Sequence, residues 1–186
     1  GGGEGVPSGG ERAAAMAEAV RSRSENGAGV LLSLGPSYLP TIGDTDPLAA
    51  FAERFGIGVG SGRVVLSERV GQGGARSIEI GTRAHIAGDH PIADAVGELP
   101  ARVEWAVPMT VGSDGAAAGV RSWPLLDVDG GDRRWTETQW LSAWRARGRS
   151  SSGRMRIAGD VSFDAGVAGE TRGPWTVAAA GDRARR

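Results

Sequence analysis

Cysteine is absent from the 186-residue sequence. That excludes disulfides, thiolate-ligated zinc, iron–sulfur clusters and a cysteine nucleophile. It leaves the redox compartment open, because a cysteine-free chain folds on either side of a membrane. Lysine is absent as well: all 21 basic residues are arginine. Schiff-base catalysis and the phosphate-loop lysine are thereby removed. In a chain this rich in Ala and Gly, the bias reads as the codon usage of a GC-rich genome. Nor does one sign of charge dominate. With 21 basic and 22 acidic residues the formal net charge is −1, so no global field draws in nucleic acid or a membrane surface. No apolar run approaches the ~18–20 residues of a membrane helix, and no signal-peptide pattern occurs. The sequence opens on Gly1 rather than Met, which reads as a piece of a longer protein.

What is present suits one soluble globular domain of 19.1 kDa. Apolar residues make up 40% and charged residues 23%, enough to bury a core. Glycine reaches 32 residues, far above the usual ~7%, and implies many turns. The expected organisation is a flexible lead over 1–10, a single α/β domain over 11–180 and a disordered polar tail over 181–186.

The first third alternates helix and strand signals. Ser8 and Glu11 have capping-box spacing and start a helix over 9–24, with Ala13, Met16, Ala17 and Val20 on its core side. Asn26 and Gly27 end it. Residues 30–34 form a continuous apolar run that stops at Gly35 and Pro36, the pattern of a buried, parallel-type strand. Asp46 and Pro47 open a second helix whose Leu48, Phe51, Ala52 and Phe55 share one face. Residues 57–59 lead into a strand over 63–66, and a short strand is expected over 77–80. A single helical turn runs from His90 through Val96. Strict alternation from Val103 to Val111 predicts one half-buried strand over 102–111, with Pro108 at an edge or bulge. Strands are also expected over 120–128, 155–163 and 175–179. Thr136 and Gln139 have capping-box spacing and predict a helix carrying Trp140, Leu141 and Trp144. The fold expected from these signals is α/β: a mainly parallel, flavodoxin- or amidotransferase-like sheet flanked by helices, with additional strands in the C-terminal half.

Chemical motifs are sparse. The glycine-rich run 56–62 lacks dinucleotide spacing and follows a helix, so it reads as a connection. Asp127, Asp129 and Asp132 resemble a calcium loop, but Gly131 stands where a third ligand belongs and the closing Glu is missing. A polar hairpin turn is the preferred reading. His85 and His90 lack a third ligand, so no metal and no cofactor are expected. No nucleophile-elbow pentapeptide occurs. Residues 133–156 concentrate arginine, with Trp140 and Trp144 nearby, the composition of a single-strand nucleic-acid groove. A solvated helix end is the plainer reading, and nucleic acid is not favoured.

Several segments, taken in order, resemble one family. They are Gly29-Val30-Leu31-Leu32-Ser33-Leu34-Gly35-Pro36, the helix from Asp46-Pro47-Leu48 to Gly56-Ile57, His90-Pro91-Ile92, Arg134-Trp135-Thr136-Glu137 and Gly173-Pro174-Trp175. The chain resembles the GldG-like auxiliary components of ABC transporters, which include gliding-motility proteins. Arg134 replaces the serine of that family's S-W-x-E segment. The resemblance implies an amidotransferase-like fold without its catalytic Cys. It also implies an extracytoplasmic domain anchored by membrane helices of the parent chain, with a permease and an ATPase as partners.

Function is therefore expected to be non-catalytic: an accessory domain of an export or motility system, binding a protein partner or a glycan-like or peptide ligand. Two alternatives stand beside it, a degenerate amidotransferase- or hydrolase-like enzyme and a polyanion binder acting through 133–156. In a parallel sheet, ligands lie beyond the C-terminal strand ends. The loop after Leu34 leaves that end, which makes Tyr38, Thr41 and Asp44 the candidate ligand-binding residues. The competing reading packs Tyr38 over the sheet.

Overall fold

The computed structural model describes residues 6–74, 76–97, 101–112, 117–131, 133–141, 154–156 and 175–183. The first helix, α1 (Gly9–Glu25), begins at the expected capping box. The Ser8 hydroxyl accepts from the Glu11 N–H, and the Glu11 carboxylate accepts from the Ser8 N–H. Its expected core face is not a core face. The helix buries no residue, and Met16 is exposed. The second helix, α2 (Pro47–Glu53), is capped by Asp46, whose carboxylate accepts from the Leu48 and Ala49 N–H groups. It buries Phe51 and Ala52 as expected. The third, α3 (Pro91–Val96), starts at His90, whose Nδ1 accepts from the Ile92 N–H at 3.2 Å.

The strands are β1 (Ile57–Val59), β2 (Val64–Val70), β3 (Arg76–Glu79), β4 (Gly81–Ile86), β5 (Ala101–Glu104), β6 (Met109–Val111), β7 (Val120–Val128), β8 (Arg134–Glu137), β9 (Arg154–Arg156) and β10 (Trp175–Arg183). They form two sheets, ordered β1-β6-β10-β7-β4-β5 and β8-β2-β3-β9. Every strand pairing among the described residues is antiparallel. The mainly parallel α/β sheet, and with it the amidotransferase-like fold, is therefore corrected to a strand-rich antiparallel architecture. The physical reason is connection length. Parallel neighbours need a crossover of about a dozen residues or more, usually a helix. Here β3 and β4 are separated by Ile80 alone, and α3 is a helix of 6 residues.

The expected central strand over 30–34 is not a strand. It has no ladder partner among the described residues, and Leu31 is 97% exposed while Leu32 and Leu34 are half-buried. Backbone hydrogen bonding to the β1–β2 connection comes further on. The Ser37 N–H donates to the Ser61 carbonyl at 2.6 Å, and Pro40 lies against Gly62. The apolar run that is buried on both faces is 64–66 instead. Val65 enters a cluster with Ala84, Ala106, Val128 and Val177. Val64 and Leu66 face the other way, into a cluster with Ile78 and Ile80 that Trp105, Trp135 and Trp140 flank. This alternation follows from the two-residue period of a strand, so β2 joins both cores.

Three further expectations change. The strand over 102–111 breaks into β5 and β6 at Trp105, whose φ of 56° is left-handed. The carbonyl of Ala106 instead accepts from the Val65 N–H at 2.8 Å. Trp140 and Leu141 are helical as expected, but no helix is capped by Thr136. It is buried within β8, opposite Val65, while Trp144 lies outside the described residues. The polar end expected to fray from Gly181 continues β10 to Arg183, with Gly181 opposite Ser122 and Arg183 opposite Val120. Strand β7 matches the expected 120–128. The part of the expected strand beyond Arg156 lies outside the described residues.

Candidate functional site

The two sheets meet where the chain steps from β3 into β4 through Ile80, and a cleft of about 820 Å³ opens at this junction. One wall is the end of β2 and β3, presenting Glu68, Arg69 and Glu79. The opposite wall is β4 and β5, presenting Thr82, Arg83 and Arg102. Its rim is the turn over 129–131 with Arg133 and Arg134. That turn is not the expected hairpin. Strand β7 pairs with β10 and β4, whereas β8 pairs with β2. The turn therefore carries the chain from one sheet to the other.

Local bonds hold the rim. The Arg134 guanidinium donates to the Asp129 carbonyl at 2.7 Å, and the Arg134 N–H donates to the Gly131 carbonyl. The Glu68 N–H donates to the Arg133 carbonyl, which ties the rim to β2. Asp129 also lies 3.5 Å from His85 Nδ1.

Among the described residues, five arginines and three carboxylates line the cleft. Their pairing is uneven. Arg69 reaches Glu79 at 3.4 Å, and Arg102 approaches Glu104 only to 3.9 Å. Neither Arg83 nor Arg133 makes an ion pair among the described residues. Arg83 stands directly opposite Arg102 in the β4–β5 register. Like charges facing each other across a ladder repel. The described lining is thus locally electropositive in a chain whose total charge is near zero. Among the described residues its lining holds no aromatic side chain, so it offers no base-stacking platform.

The sequence-derived candidates lie elsewhere. Tyr38 precedes a 3-10 turn, Leu39–Ile42, which contains Thr41. Asp44 follows it, its N–H donating to the Leu39 carbonyl at 2.8 Å. The three are thus neighbours on one turn, and none lines the charged cleft. The Tyr38 ring sits 6.1 Å from Trp140, which in turn sits 5.8 Å from Trp105. His85 and His90 play separate parts, one beside Asp129 and the other capping α3 with its ring 5.1 Å from Trp123. Of the arginine-rich segment 133–156, Arg133 and Arg134 reach the cleft. Arg154 and Arg156 lie on β9, opposite Glu79 and Ser77. Arg145, Arg147 and Arg149, like Asp132, lie outside the described residues. Sequence reading missed Arg69, Arg83 and Arg102. The alternation of exposed Arg83 and His85 with buried Thr82 and Ala84 along β4 was the available signal.

Compared with known proteins, the chain matches no family model, no curated protein and no solved structure. What the geometry itself defines is an antiparallel two-sheet domain with an arginine-lined cleft at the sheet junction.

Proposed function

We propose that this chain is a non-catalytic binding domain whose recognition surface is the arginine-lined cleft, and that its ligand presents anionic groups on a polar glycan-like or peptide scaffold. The observation that carries the reading is the pair Arg83 and Arg133, which face the cleft without an ion pair among the described residues. A guanidinium left without a carboxylate keeps its fork of donors available, and that fork matches oxyanions. The volume of about 820 Å³ lies within the range of small-ligand sites. The lack of an aromatic side chain in the lining among the described residues argues against single-stranded nucleic acid. A transport-accessory role, as the sequence resemblance implies, would use this cleft as its recognition surface.

Calorimetric titration with citrate at fixed ionic strength tests the reading. Saturable binding by the native chain, lost in the double variant Arg83→Ser/Arg133→Ser, is the expected result. Equal heats from both proteins would overturn it.

A further inference from the structure

We propose that the cleft holds a phosphate monoester, gripped by Arg83, Arg102 and Arg133, and that Gly81 is the positioning residue that seats the Arg102 guanidinium. The inference rests on the reading of the cleft as an anion-binding surface and specifies its chemistry.

The argument starts at the backbone. Gly81 and Arg83 are two residues apart on β4, and Arg102 and Glu104 are two apart on β5. In the antiparallel register Gly81 faces Glu104, and Arg83 faces Arg102. Residues two apart on a strand share a face, so all four belong to one face of the ladder. Arg102 does not extend straight out from its own position. A Cβ built on Gly81 would lie 2.5 Å from Arg102 Nη2, 2.8 Å from Nε and 2.9 Å from Cζ. The guanidinium therefore lies flat across the space that any other residue at 81 would fill. Glycine here is a seat for a cation.

That seat fixes one guanidinium diagonally beside Arg83, with Arg133 on the facing rim of the same cleft. Three cations supplied from β4, β5 and the 129–134 connection surround one volume. A carboxylate is satisfied by one guanidinium fork. A phosphate monoester carries nearly two charges and three terminal oxygens, and it accepts forks from several sides at once. The facing pair Arg83 and Arg102 repels in the empty cleft and is neutralised when such a dianion lies between them. Arg69 and Arg134 are already engaged, with Glu79 and the Asp129 carbonyl, and are not needed for the grip. The remaining carboxylate of the rim, Asp129, stands beside His85 at 3.5 Å and accepts hydroxyl or amide donors of the carrier.

The test is a titration of the full chain with O-phosphoserine, glucose 6-phosphate and acetate at matched ionic strength, followed by calorimetry. The phosphate esters are expected to bind at least about tenfold tighter than acetate, as extra charge-assisted hydrogen bonds require. The preference between the phosphoamino acid and the phosphosugar then identifies the carrier. Arg83→Gln and Arg133→Gln should each weaken phosphate-ester binding by about tenfold or more. Gly81→Ala should do the same while the protein stays folded, because the three atoms nearest the added methyl all belong to the far end of a flexible side chain. The decisive measurement is a double-mutant cycle. If Gly81 acts by seating Arg102, then Gly81→Ala adds no further loss to Arg102→Gln. Additive losses would overturn the seating role. Acetate and phosphate esters binding equally well, with both lost in Arg133→Gln, would overturn phosphate recognition while leaving the anion-binding reading intact. Absence of binding by citrate and every ester would remove both.

Discussion

Two short apolar runs in this chain have nearly the same composition and opposite fates. Residues 30–34, apolar but for Ser33, and residues 64–66 are both short stretches dominated by Val and Leu. The first lies outside any sheet, with Leu31 97% exposed. The second is the most buried segment described, Val64 and Val65 at 0% and Leu66 at 1%. Hydrophobicity therefore does not separate them. Their surroundings do. Residues 64–66 pair with β8 along one edge, the Val65 N–H donates to the Ala106 carbonyl, and the strand continues through residues 67–70, which pair with β3. Residues 30–34 are cut off by Gly29 before and by Gly35 and Pro36 after. Proline lacks the N–H a ladder needs, and glycine raises the entropic cost of holding a strand. A continuous apolar run signals burial on two faces only if both of its edges find partners.

The sharpest way to break this comparison is to truncate a leucine in each run. Leu66→Ala removes a side chain packed between Val64, Ile78 and Ile80 and should destabilise the domain by about 2–5 kcal/mol. Leu31→Ala should change stability by no more than about 0.5 kcal/mol. Urea denaturation followed by tryptophan fluorescence measures both. Equal costs would mean that 30–34 is buried in solution and that the contrast is wrong.

A second contrast uses glycine. Gly88 has a left-handed φ of 76°, and an added Cβ would lie 2.8 Å from the Pro124 carbonyl oxygen. That neighbour is backbone and cannot swing aside. Gly88→Ala should cost about 1–3 kcal/mol, from conformational strain and the clash together. Gly35 has nothing within 4 Å of the same built atom. Gly35→Ala should be neutral, or stabilising by about 0.4–1 kcal/mol through the unfolded chain. Thermal melts of the two variants give the order directly.

How much of this was legible follows the range of each interaction. The starts of α1, α2 and α3 were readable, because a cap is a contact between a side chain and a backbone group two or three residues away. Ser8, Asp46 and His90 are such contacts. Strand direction was not read, although short links such as the single residue between β3 and β4 already disfavoured a parallel sheet. The break at Trp105 left no mark in the alternation, since a left-handed φ at a bulky residue is imposed by tertiary packing. The cleft was hidden for a different reason. Arg69, Arg83, Arg102 and Arg133 are far apart in sequence and meet only through the pairings of β4 with β5 and of β2 with β8. Reading arginine density along the chain pointed to 133–156. Reading it across the register points to the cleft.

Tyr38 tests the same lesson at smaller scale. It is 38% exposed and lies at a tilt to Trp140, with ring centroids 6.1 Å apart. Aromatic pairs of this kind contribute about 0.5–1.5 kcal/mol, so Tyr38→Ala should cost about 1 kcal/mol. Citrate binding should be unchanged, because Tyr38 does not line the cleft. Weakened binding with unchanged stability would return the ligand site to the 38–44 turn.

The smallest expected effect is confined to α1 and depends on pH. The Glu11 carboxylate accepts from the Ser8 N–H, and its contacts with Ser8 lower its pKa from the ordinary value of 4.5. The sign follows from linkage. The folded helix start binds fewer protons than the unfolded chain near pH 4.5, so ionised Glu11 stabilises the folded state. That contribution is complete above the ordinary value and is lost as the pH falls through the lowered one. Because Glu11 is fully exposed, the loss should show as fraying of the first turn of α1 rather than as unfolding of the sheets. Amide exchange at Glu11 and Arg12, whose N–H groups donate to the Ser8 hydroxyl and the Ser8 carbonyl, is expected to lose protection over this acid range, while Val65 keeps its protection. Glu11→Gln keeps an acceptor without the charge and should flatten the pH dependence. If protection at Arg12 falls equally with acid in the native chain and in Glu11→Gln, the carboxylate is not what anchors the start of α1.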